Sequence, residues 1–243
     1  MKLQRRTPRR GWLRLVRRGL LIAGGVIIVL FAAGAVYLLT LPGVGDAQQR
    51  AQRIMRAHGE STAVLPTPTK LVDAVVSVED EHFFNNAVIN VLTGAGRAAL
   101  ATLQTSQDPG GSTIDQQLAK QLYGRGQGLG STLREIGLGV KLTAHYSKHQ
   151  ILAMYLNVVY YGNGSWGVQQ ASEGYFHTAP SHLTWGEASM LAGLLQAPSA
   201  YDPLEHYTLA RERQRHVLSQ LVVNHYLTRS AATTAFNARL PLS

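Results

Sequence analysis

Three groups of residues have the types and spacing to do chemistry, and the richest runs from Gly110 to Lys120. It reads as a tight glycine turn opening a helix. Ser112 followed three residues later by Asp115 has the pattern of a helix start, with Ser112 as the N-cap. At about 100° per residue, Ile114, Leu118 and Leu122 share one stripe, while Thr113, Gln116 and Lys120 share the opposite face. Backbone N–H groups at the helix start, with hydroxyls, amides and an ammonium along one side, suit an anionic ligand such as a phosphate. The plain alternative is a capped surface helix with solvated polar residues.

The second group is Glu79 and Asp80, which end the apolar run Val75–Val78 and precede Phe83 and Phe84. A carboxylate pinned between a buried helix and an aromatic pair is partly desolvated. Desolvation favours its protonated form and so suits it to general-base work. Glu81 reads as a water-facing helix-end acid. The third is Glu135, in a helix that is apolar nearly all round from Leu133 to Leu142 and leaves this acid no solvated face of its own. A lone buried carboxylate is costly unless paired. The pattern therefore predicts a cation or donor beside it: Arg134, Lys141 or, of more interest, Lys120.

The elements that must position these groups read as helices. Leu71, Ala74, Val75 and Val78 have helical spacing before Glu79. Ser147 with Gln150, and Thr184 with Glu187, are capping boxes that open apolar helices. The second of these should stop at Ala197-Pro198. Between them Tyr160 to Gly167 is a glycine-rich turn with aromatics, and a last apolar helix lies near Arg213 to Tyr226. No alternating strand pattern stands out, so the class is mainly α. Trp166 and Trp185 read as packing residues, and His145 and His149 as surface groups without metal-ligand spacing.

With no cysteine, disulfides, thiolate metal sites and cysteine nucleophiles are excluded. The formal net charge of +9 is a property of the N-terminal tail. Residues 1–18 carry 8 of the 23 Lys and Arg and no acid, leaving 15 basic against 14 acidic residues elsewhere. Nucleic-acid binding is therefore not expected. Gly19 to Thr40 follows without a charged residue, a length that matches a hydrocarbon core of roughly 30 Å. The basic flank predicts a cytoplasmic tail and an extracytoplasmic remainder. A cleaved signal peptide would show a shorter apolar run and a small-residue site, which Tyr37 to Pro42 does not offer. The expected organisation is a basic tail over 1–18, a transmembrane anchor over 19–40, a juxtamembrane connector over 41–69, the main domain over 70–228 and a C-terminal tail over 229–243.

Taken together, these residues resemble the peptidoglycan glycosyltransferases (family 51 glycosyltransferases) in their monofunctional membrane-anchored form. Glu79-Asp80-Glu81-His82-Phe83 matches the family's Glu-Asp-x-x-Phe motif, and Gly110 to Lys120 matches Gly-Gly-Ser-Thr-x-x-Gln-Gln-Leu-x-Lys throughout. The third motif's glutamate falls on Glu135. Tyr146-Ser147-Lys148, Tyr155-Leu156-Asn157, Tyr161-Gly162-Asn163-Gly164 and Ala197-Pro198-Ser199 continue the match, which covers about Lys70 to Leu221. No Ser-x-x-Lys of a transpeptidase occurs.

The resemblance implies a lysozyme-like helical domain with a small membrane-proximal lobe, preceded by one transmembrane helix in the bacterial cytoplasmic membrane. It implies polymerisation of lipid II into glycan strands, with inverting attack of an acceptor 4-hydroxyl on a lipid-pyrophosphate-linked donor. Glu79 would be the general base. Glu135 would assist the departing diphosphate directly or through a divalent cation, Mg or Mn; no organic cofactor is implied. Ser112, Thr113, Gln116, Gln117 and Lys120 would line the donor site, with Asp80, Phe83 and Asn163 as further substrate positions. Other cell-wall synthases are the expected protein partners.

The chain also departs from the family. Asn86 and Val88 stand where a His-x-Gly is usual, and Ser131 and Thr132 replace an Arg-Lys pair before the second glutamate. Arg125 and Arg134 are the candidates to take the place of that pair. These departures motivate an alternative, a catalytically weak relative that binds lipid II or scaffolds other synthases. A lysozyme-like hydrolase is a third reading, for which Lys120 and a phosphate-cradling helix would have no use.

Overall fold

A computed structural model of the chain describes residues 9–60, 69–85, 112–124 and 126–242. It divides into two compact units, residues 1–42 and 43–243. The first holds helix α1 (Arg9–Thr40). Within it Val16–Thr40 forms a continuous apolar helix, long enough to cross a membrane.

The second unit is helical, and among the described residues its strand pairing is limited to a single bridge between Tyr160 and Trp166. Its helices are α2 (Ala47–Ala57), α3 (Thr69–Glu79), α4 (Ile114–Tyr123), α5 (Gly128–His145) and α6 (Lys148–Val158). They continue with α7 (Gly167–Phe176), α8 (Trp185–Leu194), α9 (Tyr207–Val223) and α10 (Arg229–Asn237). Short 3-10 turns lie at Phe83–Asn85 and Pro180–His182. The mainly α class expected from the periodicity is the observed one.

Two largely buried helices organise the rest. Helix α6 hides Ile151, Leu152, Met154, Tyr155, Leu156 and Val158 beneath α2, α4, α5 and α7. Helix α8 buries every residue from Gly186 to Leu194 against α3, α9 and α10. A helix without a solvated stripe is stable only when covered this way. Both open with the capping boxes expected at Ser147 and Thr184, the side chains of Gln150 and Glu187 reaching back to the cap.

Close approach between helices relies on small residues. A Cβ at Gly186 would lie 2.9 Å from the Ala235 carbonyl oxygen, and one at Gly139 3.3 Å from Gln116 Cγ. The second contact lets α5 lie directly on α4. The buried amide of Gln214 donates to the Gly186 carbonyl at 2.8 Å, so the polar group inside this layer is satisfied.

Four elements differ in extent or assignment from the sequence reading. The helix expected near Arg213 to Tyr226 spans Tyr207–Val223, because Ala210, Gln214, Val217, Leu218 and Leu221 carry its buried stripe back to its first turn. Helix α8 ends at Leu194, before Ala197-Pro198. Residues read as connector and tail contribute α2 and α10. Ala47, Ala51 and Met55 bury one stripe of α2, and the ring of Phe236 on α10 lies under the guanidinium groups of Arg211 and Arg215.

The glycine turn is as tight as its composition suggests. Tyr161 N–H donates to the Ser165 carbonyl at 2.9 Å, and Gly167 N–H to the Val159 carbonyl at 2.9 Å. Gly167 has φ +77, and a Cβ there would meet Asn157 O at 2.7 Å. Gly167→Ala should therefore lower unfolding stability by roughly 1–3 kcal/mol, measurable by denaturant titration.

Candidate active site

Helix α3 packs on α8 and α9, while α4 packs on α5 and α6. The predicted catalytic acid sits where these two groups of helices meet. Glu79 is the last residue of α3 and is half-buried. Its Oε2 accepts a 2.7 Å hydrogen bond from Gln117 Nε2 on α4. Thus the structure brings the Glu-Asp-x-x-Phe segment and the Gln-Gln segment together through a side-chain bond across 38 residues of chain. The other end of that amide is held as well: Tyr155 on α6 donates its hydroxyl to Gln117 Oε1 at 2.7 Å.

Helix α4 starts one residue later than the sequence suggests. Thr113, not Ser112, is the N-cap, its hydroxyl accepting from Gln116 N–H at 3.4 Å. Both are good cap residues. With Thr113 as the cap, Ile114 is the first helical residue, and Ile114, Leu118 and Leu122 are all buried as expected. Of the two glutamines, Gln116 is buried against Gly139 of α5 and Gln117 turns to Glu79. Lys120 is half-buried one turn beyond Gln116, and its ammonium makes no hydrogen bond or ion pair among the described residues.

Asp115 does not serve the helix cap. It is fully buried, takes the Lys148 ammonium on both carboxylate oxygens at 3.0 and 2.8 Å, and accepts from the Thr143 hydroxyl at 2.7 Å. The same ammonium lies 4.5 Å from the centre of the Phe83 ring, which is buried beside Phe84. Lys148 thereby joins the turn after Glu79 to the first turn of α4. Sequence reasoning missed this link, although Lys148 lies in a quoted motif and Asp115 in another.

On α5 the expectation of a cation or hydrogen-bond donor beside Glu135 is met by a donor, and not by any of the three candidate cations. The partner of Glu135 among the described residues is the Ser131 hydroxyl, 3.1 Å away and one turn earlier, rather than Lys120, Arg134 or Lys141. The first turns of α5 are open to solvent, with Leu129 and Leu133 exposed, so Glu135 is half-buried and needs no cation to be tolerated. Arg134 donates to the Tyr123 carbonyl at 3.0 Å and so closes the C-terminal end of α4. Asn163 stands exposed at the tip of the glycine turn with φ +44. Asp80 directly follows α3 and is half-buried. Arg125, Asn86, Val88, Gly110 and Gly111 lie outside the described residues.

Two of the packing expectations are visible here. Trp166 stacks on His58 with ring centres 4.0 Å apart, fastening the end of α2 to the glycine turn. His145 and His149 are exposed. Among the described residues no group of three His, Cys, Asp or Glu is placed to hold a metal.

Comparison with known proteins places this arrangement. Residues 47–222 match the family model described as Transglycosylase. Over 166 residues, 68% of this chain, it is 40% identical to Penicillin-binding protein 2a of Streptococcus pneumoniae. It is 37% identical over 178 residues to Penicillin-binding protein 1A of Streptococcus oralis, and 31% over 210 residues to Penicillin-binding protein 1A of Rickettsia typhi. These alignments cover 70% and 83% of this chain. They span only 22% of the first of these relatives and 27% of the other two. The family match begins at the first residue of α2 and takes in Glu79, all of α4 and Glu135, so the chain belongs to the transglycosylase family, the peptidoglycan glycosyltransferases whose motifs it carries.

Proposed function

We propose that this protein polymerises lipid II into glycan strands, with Glu79 as the general base. The observation that carries this reading is the 2.7 Å bond between Glu79 and Gln117, which unites an acid and an anion-suited helix in one site. An amide N–H on one oxygen favours the charged carboxylate and fixes its direction. The acceptor 4-hydroxyl would lose its proton to Glu79 as its oxygen bonds to the donor C1. The C1–O bond to the diphosphate would break on the opposite face, inverting the anomeric centre. Lys120, whose ammonium has no partner among the described residues, would receive the donor's diphosphate and offset the charge that grows as it leaves. Glu135 would hold a divalent cation, Mg or Mn, whose positive charge would add to that stabilisation. Helix α1 would keep the site beside a substrate that lives in the membrane. Its basic flank would stay cytoplasmic and the catalytic domain outside, next to other cell-wall synthases.

A lipid II titration of the full-length protein in detergent tests the donor site. Lys120→Ala should raise KM for lipid II roughly tenfold or more, the worth of a charge-assisted bond. Equal kinetics in the variant would remove Lys120 from the site. The alternative of a slow, lipid II-binding scaffold draws on one observation: among the described residues a neutral Ser131 hydroxyl, not a cation, faces Glu135. It requires lipid II binding without strand formation.

A further inference from the structure

We propose that Tyr155 is a positioning residue for this reaction, its buried hydroxyl holding the Gln117 amide so that an N–H, and never the carbonyl oxygen, faces Glu79. The proposal rests on the reading of Glu79 as the base. A primary amide has a donating and an accepting end, and its terminal torsion is soft and nearly two-fold. Glu79 as a carboxylate only accepts, so the bond at 2.7 Å uses Gln117 Nε2 and turns Oε1 away toward α6. There the Tyr155 hydroxyl meets Oε1 at 2.7 Å and must act as donor.

Tyr155 is suited to that duty. Its side chain is fully buried, and burial together with the nearby Glu79 charge and Tyr161 holds the phenol pKa well above its usual value. It therefore remains protonated wherever the protein is folded. Tyr161 does not compete for the hydroxyl, since its own buried oxygen has no hydrogen-bond partner among the described residues. The chain Tyr155–Gln117–Glu79 runs from α6 through α4 to α3, so the most buried helix of one group sets the direction of the acid carried by the other. Without the hydroxyl, the amide is free to present Oε1 to the carboxylate, where two acceptors repel.

The test uses the full-length protein in detergent with lipid II. Tyr155→Phe removes a single oxygen. It should lower kcat about tenfold with little change in KM, and move the acid limb of the pH–rate profile upward by roughly half a unit to one unit. A carboxylate that loses an N–H donor binds its proton more tightly, which gives that sign. In a Gln117→Ala background the same substitution should cost nothing further, because it acts through Gln117. If Tyr155→Phe fails to fold, Gln117→Ala, which trims a half-buried side chain, must show the displaced limb by itself. An unchanged kcat and limb in Tyr155→Phe, losses that multiply in the double variant, or an undisplaced limb in Gln117→Ala would overturn the proposal while Glu79→Gln stayed inactive. Strand formation undiminished by Glu79→Gln would instead overturn the reading of the base, and this inference with it.

Discussion

Glu79→Gln should bind lipid II as the wild type does and polymerise it about 100- to 10,000-fold more slowly, the range a positioned general base supplies. The substitution is conservative where it matters for folding. An amide oxygen at position 79 still accepts the 2.7 Å bond from Gln117, so the junction of α3 with α4 survives. What is lost is the capacity to take a proton from the acceptor hydroxyl. Binding is expected to persist because the proposed diphosphate contacts lie on α4 and α5, not on α3. Isothermal titration with lipid II, alongside initial rates, separates the two effects. A variant that loses binding and rate together would place Glu79 in substrate binding instead.

Lys148→Met should cost about 3–5 kcal/mol of stability, the range for stranding one member of a buried ion pair. For a domain of this size that lowers the unfolding midpoint by roughly 10 °C. Asp115 is fully buried, and without the ammonium it keeps the Thr143 hydroxyl as a donor. A buried carboxylate left without its counter-ion is what makes the loss large. Combining Lys148→Met with Asp115→Leu removes both charges and should restore most of the loss. Thermal scans of the two variants check each expectation. The structural consequence reaches the site, because the same ammonium lies over Phe83, four residues after Glu79.

Much of this arrangement could be read from local sequence. The helix beginning just before Ile114, the capping boxes at Ser147 and Thr184, the uniformly apolar α8 and the charge-free run after Gly19 are all short-range signals, and each has its physical counterpart. What escaped depends on partners distant in the chain. Nothing within a few residues of Asp115 tells a capping acid from a buried one; that follows from Lys148, 33 residues on. Gln116 and Gln117 are chemically identical neighbours, and only the packing of Gly139 on α4 decides which turns to Glu79. Glu135 looked isolated in an apolar helix because periodicity does not reveal that the first turns of α5 are uncovered. Helix α2 reads as a polar, helical part of the connector and α10 as tail, because their apolar stripes are thin. Ala47, Ala51 and Met55 in one and Ala232 in the other need a neighbour's surface to define them.

The central claim is that the meeting point of α3 and α4 makes glycan strands. Full-length protein in detergent, supplied with fluorescent lipid II and sampled over time on a gel, addresses it most directly. The account predicts a ladder of strands that lengthens with time in the wild type and is all but absent with Glu79→Gln. No product longer than lipid II across varied lipids, detergents and divalent cations, or the same ladder from the variant, would contradict it.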